Sequence, residues 1–247
     1  MSIQLNRSPR LLLAGCVTIV AAACNSNNNG GVVAPPPPPP PPMASFEVTV
    51  TNLTNGQPLS PVAVIAHQSG YSVFTVGTAA TTGLETLAEG GDNSALIAEA
   101  DADAQVMASA SGAAAIGPAG SETITIDVLQ SDLPGLSVSV STMLVNTNDA
   151  ITGLNGASVA DMMAGDSISW RTIAYDSGTE ANTEAAAHIP GPAGGGEGLN
   201  AARDDLADRV AMHAGIVSQD DGFAASDLTG QHRFDNPVAQ VSIERIN

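Results

Sequence analysis

Phe46, Val48 and Val50 alternate with Glu47, Thr49 and Thr51. A period of two is the signature of a strand with one face buried and one wet. Comparable runs predict strands over residues 62–66, 123–128, 136–145, 168–175 and 238–245. Between the second and third of these the texture changes. Val76, Ala79, Ala80, Gly83, Leu84 and Leu87 recur at helical spacing, and Gly90-Gly91 supplies a stop. Asp92-Asn93-Ser94 has N-cap chemistry for a second short helix running through Ala98. Residues 188–200 form a glycine-rich loop. Strands dominate and turn-rich stretches separate them, which predicts a mainly β, antiparallel sandwich with a short helical insertion.

The N-terminus follows another pattern. Arg7 and Arg10 precede an apolar run over 11–23, which has signal-peptide length and is too short to cross a bilayer as a helix. The small residues Ala21, Ala22 and Ala23 then meet Cys24, an order that resembles the lipobox of bacterial lipoproteins. The resemblance implies that residues 1–24 are a lipoprotein signal peptide and that Cys24 is lipidated. The alternatives are an ordinary secretory signal or a short buried helix. Cys16 ends the closer lipobox by letter, Leu13-Ala14-Gly15-Cys16, but only five residues separate it from Arg10. Residues 25–45 are expected to be a disordered Asn/Gly/Pro-rich tether, with the prolines of 35–42 forming a polyproline II spacer of roughly 25 Å. An ordered domain is expected over 46–247. The protein is thus expected to be exported and lipid-anchored to the cell envelope, at the outer membrane or cell surface.

Composition narrows the function. The chain carries 7 basic residues, all arginine, against 25 acidic ones, for a net charge of −18. Such a chain has no counterion-release route to nucleic acid, and anionic headgroups repel it. No nucleic-acid partner is expected, and membrane attachment has to come from lipid. Both cysteines lie in the leader, so the 46–247 domain has no disulfide and depends on core packing. With one Trp, two Tyr and four Phe, that core is built from Val, Ile, Leu and Ala, and aromatic sugar-binding strips are not expected. Met162, Met163 and Trp170 are read as core, and Asp161, Asp166 and Asp204-Asp205 as surface acids.

Candidate chemistry sits at strand ends. Asp149 and Asp176 each follow a strong apolar run, and with one returning strand between 151 and 167 they emerge at the same end of the sandwich. Glu180 lies four residues past Asp176, close enough for the loop to fold back. Three converging carboxylates repel one another unless a cation lies between them, and Ca²⁺ accepts six to eight oxygens at adaptable angles. The competing reading is that Asp149 and Asp176 make Asx-turns with their own backbone. A hydrolase would need a nucleophile and a base. His67, His188, His213 and His232 are dispersed, Ser69-Gly-Tyr-Ser72 is no nucleophile elbow, and no zinc-type His spacing occurs. No Gly-Lys-Ser/Thr follows the glycines of 194–198, so that loop is no phosphate cradle. The chain is therefore not expected to be an enzyme. A cleft uniting a His with a Ser or Asp would argue otherwise.

Four segments, in order, resemble the spondin N-terminal domain family. They are Tyr71-Ser-Val-Phe with Gly77, Ala80, Gly83-Leu84, Ala88-Glu89 and Gly91; the run 137–145 ending at Asp149; Tyr175-Asp176-Ser177-Gly178-Thr179-Glu180; and the segment 232–239. The resemblance implies a C2-like β-sandwich that binds at the cell surface, carries a calcium ion and has no enzymatic activity. This chain departs from the family in having Asn-Asp-Ala around Asp149 where Asp-Trp-Phe is usual, and Glu180 where the animal motif has Asp. The partner is expected to be a protein or glycan at the cell surface. The rivals are an exported hydrolase and a purely structural envelope component.

Overall fold

The computed structural model describes residues 37–200, 202–205 and 207–247. The leader, Cys16, Cys24 and the tether up to residue 36 lie outside the described residues. Among the described residues no helix is long and apolar enough to cross a membrane.

Among the described residues ten strands form two antiparallel sheets. The first contains β4 (Ser121–Leu129), β1 (Met43–Asn52), β10 (Ala239–Arg245) and β7 (Ser167–Thr172), in that spatial order. The second runs β3 (Val106–Ser111), β2 (Ala63–His67), β5 (Ser137–Met143), β6 (Ala150–Ser158), β8 (Ala174–Asp176) and β9 (Ala211–Met212). β1 begins three residues ahead of Phe46, and Gln130 N–H donates to Pro42 O at its start.

The sandwich core forms between the sheets. Phe46, Val48 and Val50 of β1 meet Ile124, Ile126 and Val128 of β4 and Val241 and Ile243 of β10, while Val64, Val138 and Val140 enter from the second sheet. Every second residue of β1 is buried, as its alternation predicts. β2 differs, since all five of its residues are buried. Val64 and Ala66 point into the sandwich, whereas Ala63 and Ile65 point to the opposite face and pack against Leu84, Leu87, Ala88, Leu96 and Ala100. These come from α1 (Thr82–Gly90) and α2 (Ser94–Asp101), which cover the outer face of the second sheet. A strand buried on both faces loses its polar alternation, which explains the unbroken apolar sequence.

α1 starts later than the apolar spacing predicts, because residues 76–81 are not helical. Thr81 caps it by accepting from Leu84 N–H, and Gly91 ends it at φ +69°, where a side chain would be strained. The predicted strand 168–175 is two strands in different sheets, joined at Ile173. β3 and β9 were not anticipated. Met162 is buried as expected, but Met163 is 70% exposed and Trp170 only half-buried.

Candidate functional site

The site grows from the hairpin between β5 and β6. Thr147 Oγ1 donates to Leu144 O (2.6 Å) and accepts from Ala150 N–H (3.0 Å), which closes the turn. Asn146 fixes it to two other loops: its Nδ2 donates to Gly56 O, and its Oδ1 accepts from Ala193 N–H. Asp149, the last residue before β6, is thereby driven inside and is fully buried.

β8 pairs with the start of β6, with Asp176 opposite Ala150, so the chain leaves β8 beside Asp149. The following loop wraps the carboxylate. Asp149 Oδ2 accepts from Ser177 Oγ (2.8 Å), Thr179 N–H (2.9 Å), Thr179 Oγ1 (3.3 Å) and Glu180 N–H (3.2 Å). Gly178 makes the wrap possible. Its φ is +71°, and a Cβ there would collide with the Arg209 backbone. Asp149 is therefore not making an Asx-turn with its own backbone. Asp176 does make one, its Oδ1 accepting from Gly178 N–H (2.8 Å) while its Oδ2 accepts from Asn182 Nδ2 (2.6 Å).

The structure brings Asp149 and Glu180 together and adds a residue that the spacing argument did not reach, Glu89 at the end of α1. Glu180 is 2% exposed and Glu89 1%. Burial raises the Glu180 carboxyl to about 8, helped by the charges of Glu89, Asp149 and Asp204 and opposed by a hydrogen bond from Asn148. Asp149 is raised to about 6, first by burial and then by the Asp176 charge, against the loop's hydrogen bonds. Glu89 is also raised, again chiefly by burial, although Asn200 N–H donates to its Oε2 at 2.8 Å. Asp204 is exposed as expected, yet it is tied to the loop by Ala181 N–H (2.6 Å). Positive charge is scarce here. Arg203 spends its guanidinium on Glu85 (2.7 Å) and Asp208 (3.0 Å), and His188 Nδ1 lies 3.9 Å from Glu180 Oε1.

Two buried oxygens in this cluster, Asp149 Oδ1 and Glu89 Oε1, have no hydrogen-bond partner among the described residues. An orphaned carboxylate oxygen inside a protein is costly unless a proton or a cation satisfies it. Hard oxygen donors of this kind suit Ca²⁺. Among the described residues, however, no three Asp, Glu, His or Cys side chains converge tightly enough to hold a metal by themselves. Backbone carbonyls or water would have to complete the shell.

Glu184, just beyond the loop, is a further buried acid. Its carboxyl is raised to about 7 by burial, with only Val217 N–H opposing. The sequence marked Glu89 as part of a family-like segment but offered no chemistry for it; its i, i+4 relation to Glu85 on an otherwise apolar helix face was the available signal.

One His–Ser pair does form. His67 Nδ1 contacts Gln68 O at 2.9 Å, and its Nε2 contacts Ser139 Oγ at 2.8 Å. A carbonyl can only accept, so Nδ1 carries the proton and the Ser139 hydroxyl donates to Nε2. The pair ties β2 to β5 at 2% and 0% exposure, inside the sheet. His232 orders the last short turn, its Nδ1 accepting from Thr229 N–H.

No curated protein matches the chain. The Spondin_N family model matches residues 52–189, which includes α1 with Glu89, the Asp149 turn and the 176–180 loop, and stops short of the 232–239 segment. That span is more than half of the sequence, and the chain belongs to the spondin N-terminal domain family, a family of extracellular-type modules and not a known enzyme family.

Proposed function

We propose that the protein is a cell-envelope-anchored binding or adhesion module of spondin type whose loop end is organised by a structural Ca²⁺. The observation that carries this reading is the fully buried Asp149 carboxylate, with one oxygen held by four donors and the other by none among the described residues. Asp149 would supply its unpartnered oxygen. Because no three acidic side chains converge among the described residues, Glu180, Glu89 and Asp176 would contribute through water or by drawing closer on binding, Asp176 with a lone pair free on each oxygen. The ion would neutralise carboxylates that burial otherwise pushes toward protonation, and would lock the 176–184 loop against the β5–β6 turn.

Anchoring rests on the order Arg7, Arg10, apolar run, Cys24. A lipid chain would give a strongly acidic protein the membrane attachment that electrostatics denies it.

Thermal melts in excess Ca²⁺, Mg²⁺ and EDTA test the metal. A ligand that binds only the folded state at about a hundred times its Kd adds roughly 2.7 kcal/mol. Mg²⁺ should add less, because it requires compact octahedral geometry and gives up water reluctantly. Identical curves in Ca²⁺ and EDTA would remove the site. For the anchor, a fatty-acid probe should label the wild type and the Cys16→Ala variant but not Cys24→Ala.

A further inference from the structure

β6 and β8 pair at Ala150↔Asp176, Ile151↔Tyr175 and Thr152↔Ala174. Continued, that register would set Leu154 opposite Thr172 and Asn155 opposite Arg171. The ladder stops instead, because the chain before Ile173 belongs to the other sheet, where β7 pairs with β10. Thr152 marks the fork, its Oγ1 donating to Ile173 O (2.9 Å) and accepting from Thr172 Oγ1 (2.8 Å). Past the fork the two strands part around a cleft of about 540 Å³. Segment 74–76 makes a third wall, fastened by Asn155, which accepts from Val73 N–H and donates to Phe74 O.

Three observations define what fits. First, both strands present open edges. Among the described residues β7 ends the four-stranded sheet, and β6 beyond Thr152 has β5 on one side and no strand on the other. Alternate residues on such an edge turn unpaired N–H and C=O groups outward, the template that an extended peptide completes. Second, Phe74, Trp170 and Tyr175 line the cleft, three of only seven aromatic residues in the protein. Trp170 and Tyr175 are half-buried and offer apolar ring faces to a ligand's side chains, while Phe74 is buried behind Tyr175 at a ring-centroid distance of 4.8 Å and backs the wall. Third, Arg171 is exposed at the rim and has no hydrogen-bond or ion-pair partner among the described residues, whereas Arg203, Arg233 and Arg245 are each engaged. A planar guanidinium left open is matched to a carboxylate. The net charge of −18 repels a polyacidic segment at long range, so a single carboxylate is the complementary charge.

We propose that this cleft docks an extended peptide segment of a partner protein, carrying one carboxylate and otherwise uncharged, which adds a strand to the open edge of β7 and sets its carboxylate on Arg171. The proposal rests on the reading of the protein as a binding module but not on the metal.

Trp170 is the only tryptophan, so its selectively excited emission reports on this cleft alone. The full chain in detergent, at fixed Ca²⁺, is titrated with acetyl-Thr-Val-Asp-Val-Thr-amide. A saturable emission change is expected. Replacing the peptide's Asp by Asn, or Arg171→Gln in the protein, should weaken binding about tenfold or more, the scale of one charge-assisted pair. Methylating alternate peptide nitrogens should abolish it by blocking the ladder. Arg171 is exposed, so Arg171→Gln should melt with the wild type and its loss of binding is not a loss of fold. No saturable change at millimolar peptide, or equal affinity for the Asp and Asn peptides, overturns the proposal. So does saturation by a glucuronate-bearing oligosaccharide with none by the peptide, which would assign the cleft to acidic glycans. The calcium melts read the carboxylate cluster and not this cleft, so either reading can fail by itself.

Discussion

The two sheets solve the same burial problem differently. In the four-stranded sheet, β1 and β4 bury one face and wet the other: Phe46, Val48 and Val50 are inside while Glu47, Thr123 and Thr125 are not. The six-stranded sheet is covered twice at β2 and β5, by the facing sheet and, on the other side, largely by α1 and α2. A doubly covered sheet has little surface of its own, so polar groups on it must find partners inside or at its ends. His67 with Ser139 does so within the sheet, and Thr142 does so with Ser60 just ahead of β2. Asp149, Glu180 and Glu89 do so only in part, at the loop end. The singly covered sheet offers the open edge of β7 with Trp170 and Arg171, and the doubly covered one carries the buried carboxylates at its loop end.

The largest effect should come from the shared core. Phe46→Ala removes a fully buried ring between the sheets and should cost about 3–5 kcal/mol in urea or thermal unfolding. Leu84→Ala, in the helical cover, should cost about 2–5 kcal/mol and sharpen the contrast further. Hydrogen exchange should then speed up in α1, α2 and β2 more than in β1 and β10. Equal acceleration everywhere would mean that the cover and the sandwich melt as one unit.

Calcium should come next, at roughly 2.7 kcal/mol for a hundredfold excess over Kd. Asp149→Asn should abolish that response in differential scanning fluorimetry. Asp176→Asn should only reduce it, because asparagine still accepts from Gly178 N–H and keeps the turn.

The metal-free protein should also lose stability as pH rises. Asp149, Glu184 and Glu180 have folded values raised to about 6, 7 and 8. An acid raised above its unfolded value binds more protons in the folded state, so its contribution is complete below about pH 4 and disappears as pH climbs through the folded value. Melting temperature in EDTA should therefore fall between pH 5 and 8.5, whereas Ca²⁺, which requires ionised carboxylates, should flatten or reverse the slope. A flat profile in EDTA would show that the cluster is relieved by other means. The smallest effect belongs to the wet face, where Glu47→Ala should stay within about 0.5 kcal/mol.

Much of this was legible beforehand for a physical reason: period-two burial, glycine stops and cap residues are local. Phe46 to Val50, the stop at Gly90-Gly91 and the cap region before Ser94 each depend on neighbours within one turn or one strand. The common end for Asp149 and Asp176 followed from one returning strand, β6. What failed was less local. β3 is Ala- and Ser-rich and half-buried, so its pattern has little contrast. Residues 168–175 contain no breaker, and the fork at Ile173 exists because two sheets compete for one run of chain. Met163 escapes the core although its neighbour Met162 does not.

The sequence by itself determined the acidic character, the absence of cysteine from the 46–247 region, the sandwich class and the set of candidate carboxylates, because composition and short-range periodicity carry that information. Only the tertiary structure decided that Asp149 is sealed while Asp176 turns its own loop, that Glu89 joins the cluster from a helix sixty residues earlier, and that Trp170 and Arg171 line a cleft. Those outcomes depend on which loops fold over which strand ends and on where paired strands part, and long-range packing settles both.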